Sequence, residues 1–152
     1  GAEIEDGLIR AVRWPDESDG LFGISVLAGS SSNGFFGDIT ESNSFSISRT
    51  LYDRHGGFDE RFTSPGGGLA NLEIFRRYVT RPDARNVCLL SEGTFHQVHD
   101  SVATSGKNRW EAFASEYEAI FGGPYLRPSY HCFYRGKPRA GMVPFILQSL
   151  QG

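Results

Sequence analysis

The stretch SPGGGLANLEIFRR, residues 64–77, places three consecutive glycines directly before an amphipathic helical segment. Glycine loses more conformational freedom on folding than any other residue, so three of them at a helix start need a physical reason. One reason would be a turn that presents backbone N–H groups to a phosphate. No Lys-Ser or Lys-Thr pair follows, and the Rossmann spacing is absent, which excludes both common phosphate motifs. Two explanations of the glycines are left: a tight turn, or a site where another ligand or another stretch of backbone comes very close.

Composition excludes several classes of function. The chain has 152 residues, a formal net charge of -3 and no cluster of basic residues, so we do not expect it to bind nucleic acid. No apolar run approaches the ~20 residues that cross a bilayer. We expect a cytoplasmic protein, with peripheral membrane association as the alternative. Cys88 and Cys132 are too few for a disulfide framework and predict reduced thiols.

Hydrophobic periodicity and capping residues predict mostly helices in the first half of the chain. Pro15 ends the first of them, and Ser48 caps the last, which stops at two glycines. A segment that alternates and is rich in Thr, Ser, Ile and Phe predicts one strand. In order, the predicted elements are a helix over residues 3–14, a helix over 21–32, a strand over 39–47 and a helix over 49–56.

The second half continues the same mixture. The predicted elements are a helix from 69 that stops before Pro82, a buried strand over 86–93, a helix over 109–121 capped by Asn108, and a closing helix over 143–150. The helix over 109–121 is expected to turn inward its apolar residues Trp110, Phe113, Tyr117, Ile120 and Phe121. The pattern is therefore α/β, with too few strands for a free-standing sheet of ordinary size.

The segment HGGFDERF, residues 55–62, resembles the GGFDExF signature of family 2 glycosyltransferases, which are GT-A fold enzymes that use nucleotide-sugar donors. The neighbouring segments occur in the family's order: ESNSFSISR as a strand, SPGGGLANLEIFRR as a glycine-led helix, and LLSEGTFHQVH as a strand with a histidine-bearing loop. The resemblance covers residues 39–99, and more loosely 20–120. It implies a partial GT-A (nucleotide-diphospho-sugar transferase) domain and hexosyl-type transfer to an unknown acceptor.

The family's Asp-x-Asp metal motif does not occur in this sequence. In GT-A enzymes that motif belongs to the N-terminal half, which binds the nucleotide. The resemblance therefore implies that residues 1–152 form a single domain that is the C-terminal, acceptor-side fragment of a longer glycosyltransferase domain, inactive alone. The full enzyme would need a divalent metal, Mn or Mg, and would bind its nucleotide-sugar donor mainly through the missing half. An exposed apolar face predicts a homodimer.

The chain departs from the family where the catalytic acids should stand. The family helix opens with Glu-Asp-x-Asp-Leu, and one of those carboxylates is the general base of inverting enzymes. Aligned on Leu72, this sequence has Gly68, Leu69 and Asn71 at the three acidic positions. Glu73, directly after Leu72, is the nearest acidic residue and so the nearest catalytic candidate. The alternative is a non-catalytic sugar-binding or scaffolding module that keeps the fold and has lost the chemistry.

Other candidate site residues surround this helix. By resemblance, the turn Gly66, Gly67 and Gly68 approaches the acceptor sugar, and the amide of Asn71 can hold a hydroxyl; a purely structural turn is the competing interpretation. Glu41, as a second catalytic candidate, and Asn43, as a substrate-binding one, lie on one face of the predicted strand. Ordinary exposure of that face explains them equally well.

His96 and His99 form an H-x-x-H pair after the predicted strand. A late histidine can complete the metal sphere of a GT-A enzyme, and imidazole suits Mn²⁺. A continued strand would put the two rings on opposite faces, so at most one of them should reach the site. The resemblance favours His96, which directly follows EGTF where the family's loop turns in. A rival zinc site would draw on the cysteines and histidines together, but it has no C-x₂-C pair. A half-buried histidine without metal is the simpler interpretation.

Five further residues are assigned structural roles. Asp59 is expected to accept backbone N–H bonds within its own loop, and Phe58 and Phe62 to anchor that loop in the core. The neighbouring Glu60 is interpreted as structural too. Arg77, at the end of its helix, is expected to be solvated rather than to meet a diphosphate.

Overall fold

The structure is a computed structural model that describes residues 2–13, 15–17, 19–27, 34–37, 44–96 and 109–150. Its helices are α1 (Ala2–Ala11), α2 (Gly20–Gly23), α3 (Arg49–His55), α4 (Ala70–Val79), α5 (Trp110–Phe121) and α6 (Val143–Ser149), its strands are β1 (Asn86–Leu89) and β2 (Cys132–Arg135), and its 3₁₀ turns are Pro65–Gly67 and Ala140–Met142. Mixed helices with a small parallel sheet place the chain broadly in the α/β class, as predicted.

The chain forms two compact units, each assembled from separate segments. Unit 1 comprises residues 1–39, 87–98 and 132–152, and unit 2 comprises 40–86 and 99–131. The single domain predicted over residues 1–152 stays a prediction. In the part of the chain that the structure describes, no helix is long and apolar enough to cross a bilayer.

Unit 1 contains the two-stranded sheet. The structure corrects the prediction of a buried strand, because Val87 and Leu89 on β1 and Phe133 on β2 are all more than half exposed. These three side chains alternate with the half-buried Cys88 and Cys132, whose thiols are free. Burial raises the pKa of Cys88 to about 11, so this thiol stays protonated at neutral pH.

Aromatic contacts hold α2 in the core of unit 1. The ring of Phe22 lies 4.9 Å from that of Phe95 and 6.2 Å from that of Phe145. Beside them, the guanidinium of Arg139 donates to the carboxylates of Asp19 and Glu92, at 2.9 and 3.1 Å. These contacts join segments that are remote in sequence, so α2 is fixed by tertiary packing and not by its own length.

The core of unit 2 is the apolar face of α4. Leu69, Ile74 and Tyr78 are at most 5 % exposed. The ring of Phe75 on the same helix meets those of Phe45 and Tyr130 edge to face, each at 5.8 Å between centroids. The face predicted from the spacing is therefore the one that is buried, and α4 ends before Pro82 as expected.

An ion pair on α4 holds the neighbouring chain in place. Glu73 is 5 % exposed, and its carboxylate accepts two hydrogen bonds of 3.0 Å from the guanidinium of Arg77 one turn later. Arg77 also donates to the backbone carbonyls of His55, Gly56 and Gly57, at 2.6, 3.1 and 2.6 Å. We call this set of contacts the Arg77 clamp. It corrects the expectation that Arg77 is solvated.

Three other predictions change. The part of the 39–47 strand that the structure describes, residues 44–47, is not a strand; residues 39–43 lie outside the description. Of the helix predicted over residues 21–32, the structure describes residues 21–27, and only 21–23 of these are helical, as part of α2, which begins and ends with a poor helix former, glycine. On α5, Tyr117 is buried as predicted, but Trp110 is 50 % and Phe121 41 % exposed.

Helix α3 has the predicted start and end. Ser48 Oγ accepts the backbone N–H of Leu51 at 3.2 Å, which is an N-cap bond. Gly56 ends the helix with φ 82°, a value that favours glycine. Asn108, the predicted cap of α5, lies outside the described residues.

Replacing Arg77 with Met should lower the free energy of unfolding by about 3–5 kcal/mol, because it leaves the buried Glu73 carboxylate without its partner. The matched control is Arg49→Met, which breaks an i,i+4 pair with Asp53 whose side chains are 85 % and 56 % exposed. That change should cost no more than about 0.5 kcal/mol. Urea unfolding measures both. Equal losses in the two variants would show that the Arg77 clamp does not stabilise unit 2.

Candidate functional site

A surface pocket of about 340 Å³ lies in unit 2 between two segments that the sequence separates. One wall is the Phe58–Phe62 stretch of the GGFDERF segment, and the other is the glycine turn with the start of α4. The lining residues are Phe58, Asp59, Glu60, Phe62, Gly66, Gly67, Ala70 and Asn71. Three of the predicted substrate-binding residues, Gly66, Gly67 and Asn71, are thus brought together here.

The three glycines serve two different purposes. All have positive φ, at 77°, 82° and 53° for Gly66, Gly67 and Gly68, which a residue with a side chain adopts only with strain. At Gly67 a Cβ would meet no described heavy atom within 4 Å. At Gly68 it would lie 2.6 Å from Oε2 of Glu116 and 3.2 Å from Cβ of Ser64. Gly66 and Gly67 therefore shape the pocket wall, whereas Gly68 admits a carboxylate from α5.

That carboxylate, Glu116, anchors the chain just before the turn. Its Oε1 accepts the backbone N–H groups of Thr63 and Ser64 at 2.7 and 2.8 Å, and the Thr63 hydroxyl at 3.1 Å. Burial alone would raise the pKa of Glu116, but these hydrogen bonds outweigh it and hold the pKa below its ordinary value. Glu116 is thus an ionised anchor of the glycine turn. The sequence did not single it out, because the contact spans 52 residues.

Asp59 is held by its own loop, as predicted. Its Oδ1 accepts the backbone N–H of Arg61 at 3.0 Å, and both carboxylate oxygens accept from the Arg61 guanidinium. The side-chain hydrogen bond from Arg61 is the main cause that lowers the pKa of Asp59 to about 2. Arg61 in turn donates to the carbonyl of Ile120, and its guanidinium lies 5.0 Å from the centre of the Phe121 ring. The carboxylate is committed to holding the loop against the end of α5.

Phe58 and Glu60 differ from what the sequence predicted. Phe58 is 56 % exposed and lines the pocket, so it does not anchor the loop in the core. Phe62 does so instead, with its ring 6.2 Å from Tyr117 and 6.1 Å from Phe121. Glu60 is exposed and lines the pocket too. Phe58 and Glu60 are the binding candidates that sequence reasoning missed, because Phe58 and Phe62, four residues apart, were both expected to anchor the loop in the core.

Glu73, the first catalytic candidate, is not among the lining residues. Its buried carboxylate accepts two hydrogen bonds from Arg77 within the Arg77 clamp. Arg77 binds the backbone carbonyls directly before Phe58, which lines the pocket. Glu73 therefore acts through Arg77 to position the pocket wall. Asn71 Oδ1 accepts the N–H of Leu72 at 3.0 Å.

The structure does not place the remaining candidate residues at this pocket. Glu41, Asn43 and His99 lie outside the described ranges. His96 is described and exposed, in unit 1. Within the described residues, no group of three or more His, Cys, Asp or Glu side chains is arranged to hold a metal ion. The predicted metal role of His96 and His99 therefore stays a prediction.

Gly68→Ala should destabilise the chain more than Gly67→Ala. The second change adds only the strain of a side chain at positive φ, about 1 kcal/mol, because the space around it is open. The first also forces Glu116 away from the hydrogen bonds it makes before the turn, so we expect at least about 1 kcal/mol more. Urea unfolding compares them. Similar losses would show that Glu116 does not fix the turn.

The Asp59–Arg61 pair should be visible in an acid titration. Followed by the carboxyl ¹³C shift, Asp59 should titrate with a midpoint of about 2, and in Arg61→Gln the midpoint should move toward the ordinary value of about 3.9. Because the folded-state pKa is lowered, the stability that the pair contributes is full above about pH 4 and is lost as the pH falls through about 2. An ordinary midpoint in the unmodified chain would contradict the pairing.

A comparison of the chain with protein-family models, with curated proteins and with solved structures finds no match.

Proposed function

We propose that this chain is the acceptor-side part of a nucleotide-sugar-dependent glycosyltransferase with a GT-A fold, inactive alone. One observation carries the proposal: the GGFDERF segment and the glycine-led helix, which together make the resemblance to family 2, line a single pocket in unit 2. The remainder of such a domain would supply the donor site and the divalent metal. The pocket then receives the acceptor.

The transfer itself needs a base on the acceptor side. The acceptor hydroxyl oxygen attacks the anomeric carbon of the donor, the bond from that carbon to the diphosphate breaks, and the nucleoside diphosphate leaves. The hydroxyl proton passes to a carboxylate within hydrogen-bond reach. Asp59, with a pKa of about 2 and hydrogen bonds from both the backbone N–H and the guanidinium of Arg61, is a weak base. Glu60, the other lining carboxylate, is the better candidate.

A non-catalytic sugar-binding module is the second candidate function. It is favoured by one specific feature: Gly68, Leu69 and Asn71 stand where the family has its acids, and Glu73 is bound by Arg77. Such a module would bind sugar in the same pocket without reacting with it. The two functions differ in whether a glycosidic bond to the acceptor is formed.

Assays of the full-length natural protein with Mn²⁺ and a panel of nucleotide sugars separate the two functions. We expect hydrolysis or transfer of at least one donor, and a loss of about 10²-fold or more in kcat for Glu60→Gln. The control is Glu118→Gln, an exposed change on α5 away from the pocket, which should leave kcat unchanged. Absence of turnover with every donor would reject the transferase and leave the binding module.

A further inference from the structure

We propose that the unit 2 pocket binds an uncharged pyranoside, whose ring lies on Phe58 and whose hydroxyls are bound by Glu60 and Asn71, and that it rejects acidic and phosphorylated sugars. The inference rests on the proposed function, in which this pocket receives the acceptor, and it names the class of that acceptor. Three properties of the lining residues lead to it: apolar surface, hydrogen-bonding capacity and charge.

The apolar surface is an aromatic side chain at the pocket wall. Phe58 is 56 % exposed although it is a large hydrophobic residue, and it is among the lining residues. The volume of about 340 Å³ lies at the small end of ligand pockets, which span about 300–1,000 Å³. The lining also includes Gly66, Gly67 and Ala70, which have little or no side chain and leave the aromatic surface uncrowded. A flat ring with one apolar face can lie on such a surface.

The hydrogen-bonding groups require a ligand that both donates and accepts. An ionised Glu60 can only accept, whereas the amide of Asn71 offers donors as well as an acceptor. Hydroxyl groups do both, and a pyranoside carries several of them around one ring. A simple hydrocarbon would leave these polar groups without partners in the bound state, which disfavours it.

The charges of the wall disfavour an anion. The described residues of the lining include two carboxylates and no Lys, Arg or His. The charge of Asp59 is balanced by Arg61, but Glu60 would face any bound carboxylate or phosphate. The N-terminus of α4 adds only a partial positive charge, and Glu60 lies at the same pocket to offset it. Like charges placed together lower affinity strongly, so a uronate or a sugar phosphate should bind poorly.

The test is an NMR titration of the full chain with methyl α- and β-hexosides, methyl glucuronide and glucose 6-phosphate. At least one neutral hexoside should shift the amide resonances of Glu60, Gly66, Gly67 and Asn71, with a Kd of about 1 mM, the affinity that ligand efficiency gives for a molecule of about 13 non-hydrogen atoms. The two anions should bind at least about tenfold more weakly. No shift of these four amides by any neutral hexoside up to about 50 mM, or equal binding of the anions, would overturn the proposal.

Two variants separate recognition from loss of folding. Phe58→Ala should weaken the neutral hexoside about fivefold or more, whereas the control Leu126→Ala should not, since that side chain is 64 % exposed and does not line the pocket. Glu60→Gln keeps the size but removes the charge, so the ratio of neutral to anionic affinity should fall about tenfold. An unchanged ratio would contradict the role of Glu60.

This result is independent of turnover. If a neutral sugar shifts these amides but the full-length protein turns over no donor, the pyranoside site is supported and the transferase proposal is rejected. Turnover without these shifts would retain the transferase and reject the pyranoside site.

Discussion

The hydrogen bonds from Arg77 to the carbonyls of His55, Gly56 and Gly57 are the interaction on which unit 2 depends. A turn with two glycines has little side-chain surface to bury, so it needs another source of order. Arg77 provides it from α4, and Glu73 keeps the guanidinium oriented and its charge balanced. Tyr78 adds a bond of 2.8 Å from its hydroxyl to the carbonyl of Gly56. The residues that follow this turn are those that line the pocket.

A second anchor fixes the opposite wall. Glu116, from α5, holds Thr63 and Ser64 through their backbone N–H groups, and only a glycine at position 68 leaves room for it. The first anchor is the Arg77 guanidinium, which is paired with the Glu73 carboxylate, and the second is the Glu116 carboxylate. Among the described residues that line the pocket, none of these three occurs. Glu73 and Glu116 are therefore distinct from Glu60, the carboxylate that we propose meets a ligand. Their contacts explain how residues 68–71, which include no acid, can border a defined pocket.

The elements that could be predicted from sequence are those with local signals. The apolar spacing of α4, the N-cap at Ser48 and the glycine end of α3 are all set within a few residues, and the structure has them. The strand β2 could not be predicted, because four residues in a segment rich in Tyr, Pro and Gly carry no period. The roles of Glu73, Arg77 and Glu116 could not be predicted either. Each depends on a partner 20 or more residues away, or on burial that spacing does not reveal.

The pocket was partly predictable. The glycine turn and Asn71 were identified by resemblance, and the loop bonds of Asp59 followed from its type. The exposure of Phe58 was not predicted, because two phenylalanines four residues apart in FDERF suggest that both face inward, whereas Phe62 reaches Tyr117 and Phe58 is 56 % exposed. A ring left at a pocket wall is the feature that changes a structural loop into a candidate binding surface.

A crystal structure of the chain grown with a neutral methyl hexoside tests the central claim most directly. We expect a sugar ring against Phe58, a hydroxyl within hydrogen-bond distance of the Glu60 carboxylate, and Arg77 still bound to the carbonyls of the preceding turn. A sugar bound elsewhere, with the turn released from Arg77, would contradict both the pocket and the interaction that holds it.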